Sequence, residues 1–408
     1  MTQEPERPVR PRTQGRVLFL VICAAGIGGT FQFGYNLSII NAPTLHIQKF
    51  TNETWQARTG KPLPDHMVLL VWSLIVSLFP MGGLFGALLA GPMAIKLGRK
   101  KSLLVNNIFV VAAALLFGFS HKAGSFEMIM LGRLLMGVSA ALQMLRGTQD
   151  VAEEMEEMEE ERAACQGRQA RRPWELFQDR GLRRQVTSLV VLGSAMELCG
   201  NDSVYAYASS VFREAGVPEE KIQYAIIGTG SCELFATFVS CVVIERVGRK
   251  VLLVGGYSLM TCWASIFTAA LCLKNSFPWM PYLAMSCVFA FILSFGIGPA
   301  GVTGILATEL FDQTARPAAY MVCGALMWIM LFLVGIGFPF VMESLSHFLF
   351  VPFLGVCICG AIYAGLFLPE TKGKTFLEIS EDLHRLSLPV QAQGPTRSSR
   401  EVIQSTEL

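Results

Sequence analysis

Three carboxylates stand where carboxylates are expensive. Glu197 and Asp202 fall inside the apolar stretch 186–211, and Glu233 stands in the middle of the apolar stretch 222–244. An ionisable side chain at the centre of a membrane helix costs about 2.5–3.5 kcal/mol on insertion scales, so it faces protein or a water-filled space rather than lipid. The first stretch also holds Asn201, Tyr205 and Tyr207. Carboxylates accept strongly from hydroxyl groups, so this set suits a polyol; the competing reading is hydrogen bonding between helices. Nothing else in the chain points to bond-making chemistry. No His/Cys/Asp cluster has ligand spacing, and there is no nucleophile elbow and no phosphate-binding glycine loop, so neither enzyme activity nor a cofactor or metal is expected. Of eleven cysteines, all but Cys165 lie in apolar stretches and none shows the paired spacing of a zinc site or a secreted disulfide framework; they read as small apolar filler.

The elements that must hold these groups follow from composition. Hydrophobic residues make up 52% of the 408 and charged residues 16%, against about 25% charged in a soluble domain; mean hydropathy is +0.47. That much apolar surface requires the bilayer as solvent, and therefore helices. At about 20 apolar residues per span, the chain offers ten candidates: 17–40, 67–95, 102–119, 128–145, 186–211, 222–244, 251–273, 279–308, 317–342 and 348–368. The expectation is an all-α membrane protein of ten spans. Residues 1–16 are polar with four arginines, and the run from Val17 to Ile40 is too long for a signal h-region.

Lysine and arginine in the short loops orient the chain. With the N-terminus in the cytoplasm, the inside loops collect Lys96, Arg99-Lys100-Lys101, the segment 146–185, Arg246, Arg249-Lys250, Arg316, Lys372 and Lys374, while the outside loops are sparse. Asn52-Glu53-Thr54, in the longest outside loop, is an N-glycosylation acceptor placed on the side where modification occurs. The domains expected are a cytoplasmic N-terminus (1–16), a four-span N-terminal bundle (17–145), a charged cytoplasmic linker (146–185), a six-span bundle (186–368) and a cytoplasmic tail (369–408), polar and disordered from about Pro389. Lys96-Leu97-Gly98-Arg99-Lys100 after the second span is echoed by Arg246-Val247-Gly248-Arg249-Lys250 after the sixth, as repeated halves would produce.

Several of these motifs together resemble the sugar-porter branch of the major facilitator superfamily, the twelve-span facilitative hexose transporters. Gly34-Tyr35-Asn36 resembles the end of that family's first span. Gly98-Arg99-Lys100 and Gly248-Arg249-Lys250 resemble its two cytoplasmic turns, and Gly132-Arg133 the opening of its fourth span. Thr308-Glu309-Leu310-Phe311 with Arg316-Pro317 resembles the end of its tenth, and Pro369-Glu370-Thr371-Lys372-Gly373-Lys374-Thr375-Phe376 its C-terminal signature. Asn52 through Gly60, and the lack of tryptophan after Gly298-Pro299, are similar to the fructose-handling subclass.

The resemblance implies uniport of glucose or fructose by alternating access, with no nucleic-acid partner, in the plasma membrane. It implies sugar contacts at Glu197 and Asp202, which replace a glutamine and an asparagine of the family's seventh span, and at Glu233, which replaces an asparagine. Trp328 stands where the family has a ring to stack on the sugar. Phe295 and Met327 stand where fructose-type relatives have histidines, and Phe33 where they have tyrosine. Arg249 and Glu309 match a cytoplasmic ion-pair latch, and Arg99 its N-terminal counterpart. Stretch 17–40 has no titratable lining residue, which favours uniport over proton symport.

One departure is large. The family's Pro-x-x-x-Gly-Glu stretch, its fifth and sixth spans and its Pro-Glu-Ser-Pro-Arg motif have no match, and the chain passes from Gly137-Val138-Ser139-Ala140 to Leu145-Arg146-Gly147-Thr148. Loss of two spans preserves parity, so the charge alternation survives. It also predicts a four-helix N-terminal bundle with an open flank, Arg133 turned toward lipid and Arg99 without partners. The outcome expected is a transport-impaired protein retained early in the secretory pathway, or a transport-inactive one acting through assembly with other proteins.

Overall fold

The computed structural model describes residues 30–385 apart from 42, 98, 145–172, 180, 313, 346–347 and 375. Among the described residues all regular structure is helical. A short α1 (Thr30–Ser38) is followed by α2 (Thr44–Thr59), α3 (Asp65–Leu97), α4 (Arg99–Ala123) and α5 (Glu127–Met144). After a short α6 (Pro173–Gln178) come α7 (Arg183–Leu198), α8 (Asn201–Glu214), α9 (Glu219–Val247) and α10 (Arg249–Cys272). The C-terminal part holds α11 (Met280–Phe295), a π turn (Gly296–Ala300), α12 (Gly301–Glu309), α13 (Arg316–Leu345), α14 (Val351–Phe367) and α15 (Phe376–Arg385).

Among the described residues, six stretches are long and apolar enough to cross a membrane: Asp65–Leu89, Val105–Ala123, Glu219–Val247, Arg249–Cys272, Met280–Glu309 and Ala318–Leu345. They coincide with six of the ten expected spans. The remaining four take shorter or broken forms. α5 has 18 residues and α14 has 17. Of stretch 17–40, the first thirteen residues lie outside the described ones. The stretch 186–211, expected as one helix, is two: α7 stops at Leu198 and α8 starts at Asn201. The reason is Gly200, whose φ of 101° is in the left-handed region and cannot continue a right-handed helix. The acidic and basic runs expected in 146–185 lie almost wholly outside the described residues, as does the tail beyond Arg385. Leu176 of α6 is buried in the main core.

Glycine brings the N-terminal helices to backbone contact. A Cβ at Gly82 would stand 2.0 Å from the Leu134 carbonyl oxygen, one at Gly86 2.4 Å from that of Val138, and one at Gly137 1.9 Å from that of Phe79. Small residues at such spacing let membrane helices approach closely, and α3 lies against α5 in this way. On an adjoining face α3 carries Gly83, where a Cβ would fall 2.2 Å from the Trp328 ring of α13. Through α13, the early helices join the C-terminal group, whose core is one continuous cluster running through α7, α8, α10, α11, α13 and α14. In the tail, Ile379 and Leu383, one turn apart on α15, are both buried, so the expected polar tail begins with a docked amphipathic helix.

Candidate functional site

The break in 186–211 creates the site. At Gly200 a Cβ would meet the Phe353 ring at 2.6 Å, so both the space and the backbone conformation demand glycine. Asp202 then falls in the first turn of α8, where the positive end of the helix dipole favours a carboxylate. Its side chain adjoins that of Glu197 on α7, while Glu233 of α9 faces Tyr205 and Asp202. The three carboxylates singled out in the sequence are therefore neighbours. Glu197 is 4% exposed and Asn201 fully buried.

A cavity opens in front of Asp202. It is small, about 20 Å³, room for about one water molecule. Its walls are Leu37 of α1, Val76, Phe79 and Pro80 of α3, Arg133 of α5, Asp202 and Ala206 of α8, and Leu331, Val334 and Gly335 of α13. Both helix groups contribute, and two residues of opposite charge face the same space. Tyr207, at a kink in α8 (φ −135°, ψ 27°), donates its hydroxyl to the Gly335 carbonyl and so ties α8 to α13 beside the cavity.

The expected contacts are divided by this geometry. Of the four proposed sugar residues only Asp202 lines the cavity; Glu197 and Glu233 stand behind it. Trp328 is 1% exposed and packs edge-on to Phe79 at 6.1 Å between ring centroids, as part of the α3–α13 contact. Arg133 is a correction. Expected to turn toward lipid, it is 4% exposed, its Nη1 donates to the Asn36 carbonyl at 2.8 Å, and its charge lies 4.7 Å from the Phe79 ring centroid. Close glycine packing of α3 on α5 turns its side chain inward. By sequence, Arg133 belongs to the Gly132-Arg133 match and to the open flank, not to the site. The rule that located the carboxylates, an ionisable group in an apolar stretch, would have found it too.

At the other end of the C-terminal helices the signature motifs meet. Arg249 Nε donates to Glu309 at 2.9 Å and its Nη2 to Glu245 at 2.9 Å. The Thr371 hydroxyl donates to Glu309 as well. The Glu370 carboxylate accepts the backbone N–H of Arg249 at 2.8 Å and of Lys250 at 3.1 Å, capping α10. Gly248 (φ 101°) permits this, since a Cβ there would stand 2.8 Å from that carboxylate. The expected Arg249–Glu309 pair is thus formed, but it clamps α10, α12 and the segment after α14 within one helix group. The Arg99 side chain, and that of Phe33, lie outside the described residues. Asn52 lies on α2, so the outside loop is itself largely helical, and its Oδ1 accepts the Leu63 N–H at 2.8 Å. Nearby, Arg58 reaches Glu127 and the Gly124 carbonyl, joining α2 to the α4–α5 turn.

Long apolar helices in two groups, closed around a mostly apolar cavity with one arginine and one aspartate in its wall, define a membrane transporter of the major-facilitator type. Solved structures share the fold: a D-xylose–proton symporter superposes with a TM-score of 0.68 at 17% identity, covering 88% of this chain and 99% of that one. A proton:xylose symporter bound to 6-bromo-6-deoxy-D-glucose gives 0.66 at 16%, covering 90% and 99%. The family model described as sugar (and other) transporter matches residues 20–143 and 139–383, and this chain belongs to that family of membrane transporters, not to an enzyme family. It is 68% identical to facilitated glucose transporter member 11 of Homo sapiens, over 98% of this chain and 100% of that protein. It is 34% identical to member 5 of the same species, over 90% and 91%. The pairing with member 11 runs over 495 positions, 87 more than the 408 residues of this chain. Stretches of that relative therefore have no counterpart here, and the two family matches meet at residues 139–143.

Proposed function

We propose that this fold carries a hexose, glucose or fructose, down its gradient by alternating access, with the sugar held in front of Asp202 where rocking of the helix groups widens the small cavity. The observation that carries this reading is the cavity itself, walled by both helix groups with a carboxylate at a helix N-terminus on one side. A site shared by two bundles is what rocking of one against the other opens to each face in turn. Glu197 and Glu233, behind Asp202, are in this reading further sugar contacts that come into play as the cavity widens, and the similarity to facilitated glucose transporters supports hexose as the solute. Uniport is preferred because the described part of the first span, α1, contributes no ionisable side chain to the cavity. In this scheme Trp328 acts as an inter-bundle packing residue beside the sugar. The Arg249–Glu309 pair holds the inner ends of one bundle rigid while it rocks, with Arg99 as its N-terminal counterpart. Asn52 carries a glycan through Nδ2 while Oδ1 keeps its bond to Leu63.

The same chain, alone, is proposed to transport poorly. The 87 surplus positions and the meeting of the family matches at 139–143 support a bundle of four N-terminal spans (17–145) joined through 146–185 to six C-terminal ones (186–368). A transporter short of two helices in one half has an incomplete wall and is held internally rather than at the plasma membrane. A second reading is a transport-inactive protein acting through assembly; it would require a partner chain rather than lipid to cover the apolar face of α9 that carries Tyr224, Ile227, Leu234, Phe235 and Phe238. The deciding experiment is saturable uptake of radiolabelled glucose and fructose into vesicles containing this chain or a version with the two spans restored. Uptake by the restored version and little by this chain is expected. Equal, inhibitor-sensitive uptake by both removes the impairment, and uptake by neither removes the hexose reading.

A further inference from the structure

Arg133 reaches the cavity with donors to spare. A guanidinium carries five N–H donors and no acceptor. In the structure Nη1 donates to the Asn36 carbonyl at 2.8 Å and Nε to that of Ile75 at 3.4 Å, with the Phe79 ring below. Among the described residues nothing accepts from Nη2, and no ion pair joins Arg133 to a carboxylate, although Asp202 lines the same cavity. A charge this deeply buried without a counter-ion is costly unless its hydrogen bonds are completed.

Across the cavity the chemistry inverts. Asp202 stands in the first turn of α8, hydrogen-bonded to Glu197; two carboxyls share such a bond only when one keeps its proton, so Glu197 donates and the Asp202 carboxylate accepts. Arg133 belongs to the helices that close on α3; Asp202 belongs to the C-terminal group. One wall therefore donates and the other accepts, and the two walls sit on separate bodies. A sugar carries both functions on each hydroxyl. Placed between the walls, it takes an N–H from Arg133 on one oxygen and gives an O–H to Asp202 from another.

We infer that Arg133 is a sugar-contacting, specificity-determining residue, which with Asp202 makes the solute a hydrogen-bonded bridge between the two helix groups. The inference rests on the proposed sugar site. It predicts dependence on one particular oxygen of the ring, because the planar fork of arginine has fixed directions. An ion pair formed only when the cavity is empty would show no such dependence.

The test is equilibrium binding of radiolabelled D-glucose and its single-deoxy analogues to the full chain in nanodiscs. It compares the natural chain with Arg133→Gln, Arg133→Lys and Asp202→Asn. Arg133→Gln should weaken D-glucose binding about tenfold, the effect of one charge-assisted hydrogen bond. For one deoxy analogue that loss should vanish, and Asp202→Asn should lose its effect on a different analogue. If Arg133→Gln does not fold, as judged by its thermal unfolding midpoint, Arg133→Lys gives the same comparison, since it keeps the charge and loses the fork. Equal losses on every analogue, or binding unchanged in both Arg133 variants, overturns the inference and leaves the sugar site standing. No binding of any analogue by the natural chain overturns both.

Discussion

Asp202 owes its place to a residue two positions earlier. Gly200 turns the chain out of α7 with φ 101°, and Phe353 occupies the space a side chain would need. Gly200→Ala should therefore destabilise the chain by about 2–5 kcal/mol, the left-handed backbone contributing about 1–2 and overpacking about 1–3. The thermal unfolding midpoint in detergent should fall, and sugar binding should weaken with it as Asp202 shifts; an unchanged midpoint would mean the break does not depend on glycine. A second residue-scale prediction concerns acid. Ahead of the span expected at 128–145, the hydrogen bond from Arg58 holds the Glu127 carboxyl down at about 2. A carboxyl whose folded value is depressed stabilises above its unfolded value, near 4.5, and loses that contribution as pH falls through about 2. Hydrogen exchange in the α4–α5 turn should rise on acidification across that window, and Arg58→Gln should flatten the response. Both side chains are about half exposed, so the effect is local and small.

Elements here are placed by what their glycines allow. α3 and α5 meet where Gly137 leaves no room for a Cβ against the Phe79 carbonyl, whereas Gly118 on α4 has nothing within 4 Å. Gly137→Ala should force α3 and α5 apart at about 1–3 kcal/mol, while Gly118→Ala should be neutral or stabilise by up to about 1 kcal/mol, since alanine is the better helix former. Paired thermal unfolding measurements decide it, and equal behaviour of the two variants would contradict the packing. The positioning of Arg133 depends on the same contact, so Gly137→Ala should also weaken sugar binding. At the inner ends, Glu370 caps α10 from more than a hundred residues away in sequence. A carboxylate there satisfies N–H groups that no helix can satisfy for itself.

For the whole molecule, the charge alternation predicts that both termini lie on one face of the membrane. Tags at Thr2 and Leu408 should be accessible from the cytoplasmic side only; tags reporting opposite faces would contradict an even number of spans. This prediction belongs to the whole chain because each added or lost helix reverses every loop after it. The cavity is a whole-molecule feature as well. It exists because α13 lies against α3, with Trp328 over Gly83 and Gly335 beside Ser77, so that residues more than a hundred positions apart face each other.

Class, family and most span positions were legible in the sequence because they follow from local quantities. Bilayer thickness sets how long an apolar run must be, and loop charge sets its side. The signature turns carry their residue types in order, which is why Arg249 and Glu309 were expected as partners and are found so. The carboxylates Glu197, Asp202 and Glu233 were legible for the same reason: a charge in an apolar run announces itself wherever it points. Which of them lines the cavity was not legible. A helix rotated by one residue moves a side chain by about 100°, and that rotation is set by contacts with helices distant in sequence. So Asp202 reaches the cavity while Glu197 and Glu233 stand behind it, Trp328 fills a helix contact, and Arg133, expected to face lipid, forms the opposite wall. The break at Gly200 lay between those cases. The glycine was visible in the sequence, but only the Phe353 ring packed against it and its left-handed backbone turn the expected single span into two.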